Sequence, residues 1–345
     1  MIKVRRIGVS LVAVAAVAFG AGGVAAAQDV SGEVLVSGSS TVEPITSLVA
    51  ELFAGENPDV QVSVDGPGTG DGFQLFCNGE TDISDASRAI EDEEVADCEA
   101  NGVTYTELTV GIDGLTIVAN KSSKLKCLDQ AQIYAIFGPE STGSLADAQT
   151  LATELGSTAK KLPSGSVKKF TPGPESGTYD SFIEINYEEL MDERLEGGNI
   201  PSNAVGTNDE GEQEVTEPLV SDGQFPNDNN IVQRVEGSKN GIGFFGYAFF
   251  QENEGELKAI SVLNPDTGKC VKPTPKTIRS GAYPISRPLF IYPNTAKAAE
   301  NAAVKSFMDF YMTEESLTTT VTDAGYVPLS SAQITETIDT WEAAE

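Results

Sequence analysis

The chain has 345 residues, 40% of them hydrophobic, with 52 Asp and Glu against 22 Lys and Arg and no histidine. This length suits two domains of roughly 100–200 residues each. The formal net charge of −30 argues against a nucleic-acid partner, because such binding needs Lys and Arg to neutralise phosphates. Without histidine, Ser-His-Asp and Cys-His nucleophiles, histidine acid–base steps and histidine-containing zinc sites are excluded, and most hydrolases with them.

The amino terminus has the pattern of a secretory signal peptide. A basic segment (3–6) precedes an apolar run (7–19), and three alanines (25–27) form an A-x-A-like site, which predicts cleavage before Gln28. The apolar run is short for a membrane span, which needs ~20 residues, although an uncleaved anchor is the alternative. No cysteine lies here to carry a lipid anchor. We therefore expect residues 1–27 to be removed and the mature protein to be exported, either to a periplasm or to the medium.

Four cysteines fit an exported protein. They lie at Cys77, Cys98, Cys127 and Cys270, which allows three pairings. The sequence does not decide among these, but we favour the local pair Cys77–Cys98, which leaves Cys127 with Cys270. No C-x-x-C spacing occurs, so structural disulfides explain these residues better than metal or redox chemistry.

The first third of the chain alternates between strand and helix patterns. A short apolar segment (33–36) predicts a strand, and apolar residues between 42 and 53 recur at helical spacing. Valines alternate over 60–64 as in a strand, and a glycine-rich stretch (66–72) follows, leading into another helix. Such alternation predicts an α/β sheet of mostly parallel character, with ligands at the loops that leave the carboxyl ends of the strands.

Two later strands are expected to connect two lobes. Residues 114–119 form an apolar strand that leads into a middle region with longer loops, including a polar excursion over 197–230. Residues 288–292 form a strand that returns toward the first lobe. We therefore expect one lobe from 28–116 plus 281–345 and a second lobe, inserted into the first, from 117–280.

Three loops have the chemistry of an anion site. In the first (Ser39, Ser40, Thr41), Ser40 and Glu43 have capping-box spacing, which predicts a helix N-terminus at Thr41; free backbone N–H groups there favour an anion. The alternative is a simple helix cap.

The second and third loops offer backbone N–H groups and hydroxyls. The second contains Thr69, Gly70 and Asp71, and its glycines allow a ligand to approach the backbone closely. The alternative is a plain glycine turn. The third, Ser176-Gly177-Thr178, precedes a predicted helix. The three loops lie in both expected lobes, as a closing cleft requires.

A cation for such a site is also present in the sequence. Ser87-Arg88 follows a predicted strand, and a guanidinium group suits a tetrahedral oxyanion. An ordinary surface ion pair is the alternative.

Residues 241–246 match G-x-G-x-x-G but follow a polar stretch rather than a strand. A tight turn packed by aromatic residues is therefore favoured over a dinucleotide site.

Taken as a set, these segments resemble the PstS-like family of phosphate-binding proteins of bacterial phosphate ABC transporters. The segments that carry the resemblance are 36–41, 68–70, 81–88, 111–116, 175–178 and 241–247, in the family's order. The resemblance implies a two-lobed α/β fold like that of type II periplasmic binding proteins, with a hinge between the lobes and the ligand in the cleft. It also implies a non-catalytic, cofactor-free monomer that binds inorganic phosphate and delivers it to a membrane permease.

The resemblance also implies a set of ligand residues. The phosphate oxygens would accept hydrogen bonds from Ser39, Ser40 and Thr41, from Thr69 with Gly70, and from Ser176, Gly177 and Thr178. The sequence departs from many relatives, which have an arginine shortly before Ser-Gly-Thr and an aspartate where Ser87 stands. Arg88 would then supply the positive charge, and Asp71 or Asp113 would accept the proton of the bound phosphate.

Other functions remain open on the sequence alone. The same loops suit another oxyanion, such as sulfate, molybdate or an organic phosphate. A secreted phosphatase is disfavoured by the lack of histidine and of a recognisable metal cluster.

Overall fold

The computed structural model describes residues 30–208 and 211–344 as a mixed α/β protein. The expected signal peptide lies outside these residues. Elements of the first half are β1 (Gly32–Gly38), α1 (Glu43–Glu56), β2 (Val60–Asp65), α2 (Thr69–Cys77), β3 (Ile83–Ala86), α3 (Asp92–Ala100), β4 (Leu108–Ala119), β5 (Cys127–Leu128), α4 (Gln130–Phe137), α5 (Leu145–Glu154) and β6 (Lys168–Pro172).

The second half continues with shorter strands and more helices. Its elements are α6 (Gly177–Asn186), α7 (Glu188–Glu196), a 3-10 turn (Ser202–Ala204), β7 (Val205–Thr207), β8 (Gln213–Val215), β9 (Gly223–Phe225), α8 (Asp228–Gly237), β10 (Gly241–Gly246), α9 (Tyr247–Glu252), β11 (Lys258–Ala259), β12 (Ser261–Asn264), β13 (Lys269–Val271), α10 (Pro275–Arg279), β14 (Ser286–Pro293), α11 (Thr295–Glu300), α12 (Ala302–Tyr311), a π-helical turn (Ser316–Thr320), α13 (Val321–Asp323) and α14 (Ser331–Ala344).

Strand β4 joins the two halves of the main sheet. In the described chain this sheet has the order β2-β1-β3-β14-β4-β10-β6-β9, and β11 also pairs with β4. The part of β4 up to Gly114 pairs with β14, whereas Leu115 to Ala119 pair with β10. The two halves therefore share one continuous strand, and β14 returns beside it, as the sequence predicted for the two crossover strands.

The sheet is less uniformly parallel than the sequence suggests. Strands β1, β2 and β3 are mutually parallel, as are β10, β6 and β9. The central strands break this pattern, because β14 is antiparallel to both β3 and β4, and β10 is antiparallel to β4. The parallel halves agree with the strand–helix alternation of the sequence, and the antiparallel centre follows from the two crossovers.

Aromatic packing fixes helix α6 against the second half of the sheet. Phe182 stacks on Phe244 of β10 with ring centroids 3.6 Å apart, and both side chains are fully buried. Phe137 of α4 contacts both rings edge-on, at 5.2 and 5.7 Å. Burying three large aromatic side chains stabilises this contact by several kcal/mol, on the order of 2 kcal/mol each. The N-terminus of α6 is thereby held in one orientation.

The cysteines pair as favoured from the sequence. Cys77 is bonded to Cys98, which links the end of α2 to α3, and Cys127 is bonded to Cys270, which links β5 to β13. The second bond encloses most of the residues of the second half of the sheet.

Two expectations from the sequence need correction. Residues 241–246 are not a turn: they form β10, with five of its six residues buried and with β4 and β6 on either side. The G-x-G-x-x-G segment is thus a strand itself rather than the strand-to-helix loop that holds a dinucleotide. The polar excursion over 197–230 is also partly ordered, with a β7–β8 hairpin and strand β9.

Among the described residues, no helix combines the length and the apolar character needed to cross a bilayer.

Candidate anion-binding site

The first predicted loop lies at the carboxyl end of β1. The Ser39 hydroxyl accepts the Thr41 N–H at 3.2 Å, and the Ser39 carbonyl accepts the N–H groups of Val42 and Glu43 at 3.0 and 2.9 Å. Helix α1 begins at Glu43, with Val42 as N-cap and no side-chain cap bond. The predicted capping box and the helix N-terminus at Thr41 are therefore wrong, because Ser39 rather than Ser40 closes this turn. The hydroxyls of the next two residues remain available for other partners.

The second loop packs directly on the first. Gly68, with φ of 126°, precedes α2 and donates its N–H to the Gly38 carbonyl at 2.9 Å. A Cβ added at Gly72 would lie 2.3 Å from the Gly38 Cα, so only glycine allows this approach. The Thr69 hydroxyl lies 3.0 Å from that of Ser87 and accepts the Ser87 N–H at 3.2 Å. The structure therefore brings Thr69, Gly70 and Ser87 to the same edge of the sheet as the first loop.

The third loop meets the first from the other half of the sheet. Ser176 is the N-cap of α6, and its hydroxyl accepts the Thr178 N–H at 3.3 Å. A Cβ at Gly177 would lie 3.1 Å from the Ser40 carbonyl oxygen and 3.4 Å from the Thr41 Cα. A glycine at this position allows the N-terminus of α6 to approach the Ser39–Thr41 loop.

Side-chain hydrogen bonds also cross between the halves. The Ser40 hydroxyl donates to Asp180 Oδ2 at 3.3 Å, and the Thr41 hydroxyl lies 3.0 Å from that of Ser181. Asp180 and Ser181 both lie in the first turns of α6, just after the Ser-Gly-Thr loop. The hydroxyls of Ser40 and Thr41, which are expected to hold an anion, therefore have polar partners on helix α6.

Arg88 is largely neutralised by nearby carboxylates. Its guanidinium donates two hydrogen bonds to Glu94, at 2.8 and 2.7 Å, and its Nε lies 3.2 Å from Glu91. The hydrogen bonds that Arg88 donates to Glu94 raise the pKa of Arg88 above its usual value. Its Nη2 would be 3.9 Å from a Cβ at Gly70, so the group does lie beside the second loop. Its charge, however, is shared with acidic residues of α3.

Arg287, on β14, is a cation that the sequence analysis missed. Its Nη2 donates to Ser181 Oγ at 3.1 Å and to Thr41 Oγ1 at 3.5 Å, and it forms an ion pair with Glu184. Only 17% of its side chain is exposed. The sequence carried one signal for it: it is among seven arginines in the chain and directly precedes the predicted return strand (288–292).

The two carboxylates proposed from the sequence occupy different places. Asp113 lies on β4 directly opposite Arg287, is 2% exposed, and has Oδ2 4.0 Å from Arg287 Nε. Burial raises its pKa, and the charge of Arg287 opposes that rise. Asp71 is an exposed residue in the first turn of α2. Asp113 is therefore a buried partner of Arg287, and Asp71 lies at the surface.

Asp180 is the carboxylate that faces the loops. It is half-buried and accepts the Ser40 hydroxyl, and its pKa is raised by burial and by the nearby charge of Glu184. A carboxylate with a raised pKa can accept or share a proton at an anion site more readily than an exposed one. Sequence reasoning missed it because Asp180 looked like an ordinary first-turn acid of a helix.

The site chemistry uses hydroxyls, N–H groups, one arginine and carboxylates. In the described ranges, no group of three or more Cys, Asp or Glu side chains could hold a metal ion. The arrangement suits a small tetrahedral anion at the N-terminus of α6, where the Ser39–Thr41 loop and Arg287 also lie.

This geometry, a cleft between two α/β lobes joined at a shared strand, defines a substrate-binding protein. The PBP superfamily domain profile matches residues 23–315. SphX of Synechococcus elongatus is 36% identical over 303 residues, which covers 88% of this chain and 79% of that protein. The phosphate-binding protein PstS of Staphylococcus saprophyticus is 36% identical over 320 residues, 92% of this chain and 87% of that protein.

Solved structures agree with the sequence relatives. A crystal structure of a possible phosphate binding protein from Planctomyces limnophilus has a TM-score of 0.76 and 33% identity, with 91% of this chain and 99% of that chain covered. A phosphate transport receptor from Vibrio cholerae, at 20% identity and a TM-score of 0.60, shares the fold. The chain belongs to the PstS/SphX family of the PBP superfamily, as the resemblance in the sequence had indicated.

Proposed function

We propose that this protein captures inorganic phosphate between its lobes and delivers it to an ABC importer, without catalysis. The observation that carries this proposal is the approach of the α6 N-terminus to the Ser39–Thr41 loop, with Arg287 beside both. Hydroxyls, backbone N–H groups and a guanidinium there would replace the water around a phosphate ion. The family's named phosphate-binding members support this choice of ligand.

Most of the phosphate ligands come from the three loops. Hydroxyls and N–H groups come from Ser39, Ser40 and Thr41, from Thr69 and Gly70, from Ser87, and from Ser176, Gly177 and Thr178. Arg287 supplies the main positive charge, because it reaches Thr41 and Ser181 at the point where the two halves meet. Arg88 contributes less, because its hydrogen bonds go to Glu94 and the Ala89 carbonyl. Arg287 also pairs with a carboxylate, that of Glu184, but in addition it reaches hydroxyls at the site.

Asp180 is the acceptor of the phosphate proton in this proposal. It accepts the Ser40 hydroxyl, whereas Asp71 is exposed and Asp113 is a buried partner of Arg287. Phosphate carries a proton near neutral pH and sulfate does not, so a bound sulfate would leave Asp180 facing a like charge without a hydrogen bond. Such a contact disfavours sulfate by roughly several kcal/mol when it is desolvated.

In this proposal one lobe consists of residues 28–116 together with 281–345, and the other lobe consists of residues 117–280. The change of partner strand on β4, from β14 to β10 between Gly114 and Leu115, supports a boundary near residue 116. Strands β4 and β14 would then act as the hinge, and closure would shield the ligand from water.

The protein is further proposed to be exported, cleaved before Gln28, and active as a monomer that docks on a membrane permease. The signal-peptide pattern and the two disulfides support export. The net charge of −30 supports the absence of a nucleic-acid partner.

Calorimetric titration of residues 28–345 with phosphate tests the proposal. The protein is first partly unfolded, dialysed and refolded, because a tight binder carries phosphate through purification. One-to-one binding of phosphate that excess sulfate does not displace is expected. A folded, phosphate-free sample that binds sulfate or molybdate but not phosphate would assign the cleft to another oxyanion. A sample that binds none of the three anions would reject the proposal.

A further inference from the structure

The most unusual buried group outside the anion loops is the carboxyl of Asp85, on β3. The residue is 1% exposed, and within the described chain neither side-chain oxygen has a hydrogen-bond partner. A buried polar group without a partner costs stability, so its presence calls for an explanation. Burial raises the pKa of this carboxyl to about 8.

Few charged or titratable groups face Asp85. Glu43, in the first turn of α1, raises its pKa further through like charge. Tyr311, on α12, faces it with a phenol whose own pKa is well above its usual range. The Thr46 hydroxyl opposes the rise, but it forms its own hydrogen bond with Tyr311 at 3.2 Å. The cross-strand neighbours of Asp85, Gly38 on β1 and Ile291 on β14, carry no charge.

The backbone of Asp85 is tied to the first anion loop. Its carbonyl accepts the Ser39 N–H at 2.8 Å, and it pairs with Gly38 at the end of β1. A Cβ at Gly38 would lie 2.0 Å from this carbonyl oxygen, so the two strands are in close contact there. Ser39 in turn holds the N–H groups of Thr41, Val42 and Glu43. A displacement of Asp85 is therefore transmitted directly to the loop.

We propose that Asp85 is a proton-linked positioning residue of the anion loop, which binds its ligand while the Asp85 carboxyl is neutral and loses affinity when that carboxyl ionises. The inference rests on the proposed function for the identity of the anion. An ionised Asp85 would lie in an apolar environment, with Glu43 on one side and the bound anion beyond the loop. Repulsion between these charges is weakly screened inside the protein, so the anion and the Asp85 proton bind together.

Linkage fixes the sign of the effect. An anion that disfavours ionised Asp85 raises the pKa of that residue in the complex, so each bound anion brings a proton with it at alkaline pH. Between the pKa of the free protein and the higher pKa of the complex, affinity falls by up to about tenfold for each pH unit. Below pH 7 the carboxyl is neutral in both states, and affinity does not depend on it.

The test compares wild-type protein (28–345) with Asp85→Asn, which keeps the shape and removes the titration. Asp65→Asn is the control, because Asp65 is an exposed acid at the end of β2. Phosphate dissociation constants are measured by calorimetry from pH 6.5 to 9.5. Ratios between proteins are compared, because the ligand's own titration is the same in all three.

The wild-type dissociation constant is expected to match that of Asp85→Asn at pH 6.5 and to exceed it about tenfold or more at pH 9.5, with Asp65→Asn parallel to wild type. Proton uptake by the wild type gives a second readout that does not depend on the variant folding. Titrations at pH 8.5 in two buffers of different ionisation enthalpy should show uptake linked to phosphate binding. Parallel pH profiles, or no proton uptake by the wild type beyond that of phosphate itself, would overturn the inference while phosphate binding stands. Failure of all proteins to bind phosphate at pH 6.5 would instead reject the proposed function.

Discussion

Arg287 on β14 and Asp113 on β4 face each other across the two central strands of the sheet, with Nε and Oδ2 4.0 Å apart. The guanidinium extends from this pair to the hydroxyls of Thr41, in the turn after β1, and of Ser181, on α6. The positive charge at the candidate site is thus held by paired strands and by a buried carboxylate, not by a loop. This arrangement limits the motion of the guanidinium and fixes its direction.

Arg287→Ala is expected to weaken phosphate binding by roughly tenfold to a hundredfold or more, because a hydrogen bond to a charged group contributes about 1.5–3 kcal/mol. Arg88→Ala should weaken binding less, since Arg88 is held by Glu94 and Glu91. Calorimetric titration of both variants with phosphate shows which substitution weakens binding more.

The matched control for this comparison is Arg234→Ala. Arg234, on α8, lies over the ring of Phe225 at the β9 edge of the sheet, far in the strand order from β14. Its removal should leave affinity unchanged. A larger loss from Arg88→Ala than from Arg287→Ala would show that Arg88 carries the ligand's charge, as the sequence alone suggested.

Asp180→Asn is expected to reduce discrimination against sulfate. The amide can donate a hydrogen bond to a fully deprotonated oxyanion, whereas the carboxylate can only accept one. We expect excess sulfate to displace phosphate from this variant but not from wild type. Asp71→Asn serves as the comparison, because Asp71 is exposed. If Asp71→Asn admits sulfate and Asp180→Asn does not, the assignment of the acceptor is reversed.

The sequence was informative where local patterns determine structure. The loops at 39–41, 69–70 and 176–178 were placed near strand and helix ends, apart from the exact start of α1, because glycines and hydroxyl residues between apolar segments mark such ends locally. The disulfide pairing was also anticipated. The loop positions follow from short stretches of sequence, and the disulfide pairing follows from a preference for bonding cysteines that are close in sequence.

Long-range pairing was beyond the same reasoning. The role of Arg287 depends on β14 lying beside β4, a contact between residues far apart in sequence. The start of α1 at Glu43 depends on the hydrogen bonds of Ser39, whose own N–H is held by Asp85 of another strand. Glycine spacing at 241–246 looked like a turn because the flanking strands that bury it come from elsewhere in the chain.

Gly177→Ala is expected to weaken phosphate binding without lowering the stability of the fold. The added methyl group would lie 3.1 Å from the Ser40 carbonyl oxygen, which forces the two loops apart by a few tenths of an ångström. Alanine is otherwise the better helix residue at this position. Affinity and the urea midpoint are measured together. Gly55→Ala, in α1 and with open space around the added carbon, is the control. Unchanged affinity in Gly177→Ala would show that the close approach is not needed for binding.

Asp85→Asn should stabilise the ligand-free protein in a pH-dependent way. The folded-state pKa of about 8 lies above the unfolded value of 3.8, so unfolding releases a proton between these pH values. The free energy of unfolding of the wild type therefore falls as pH rises through this window, by up to about 1.4 kcal/mol per pH unit from this residue alone. The asparagine variant has no such fall in its free energy of unfolding. The excess of its free energy of unfolding over that of wild type should be smallest near pH 4 and largest at pH 8 and above.

Urea denaturation of both proteins at pH 5, 7 and 8.5 measures this difference directly. All other carboxylates titrate in both proteins, so the difference between the two curves isolates Asp85. If the stabilisation by Asp85→Asn grows with pH, the Asp85 carboxyl is neutral in the folded protein and its ionisation lowers the free energy of unfolding. If the variant is less stable by the same amount at every pH, the Asp85 carboxyl forms a stabilising contact that does not depend on its protonation, and its burial is structural.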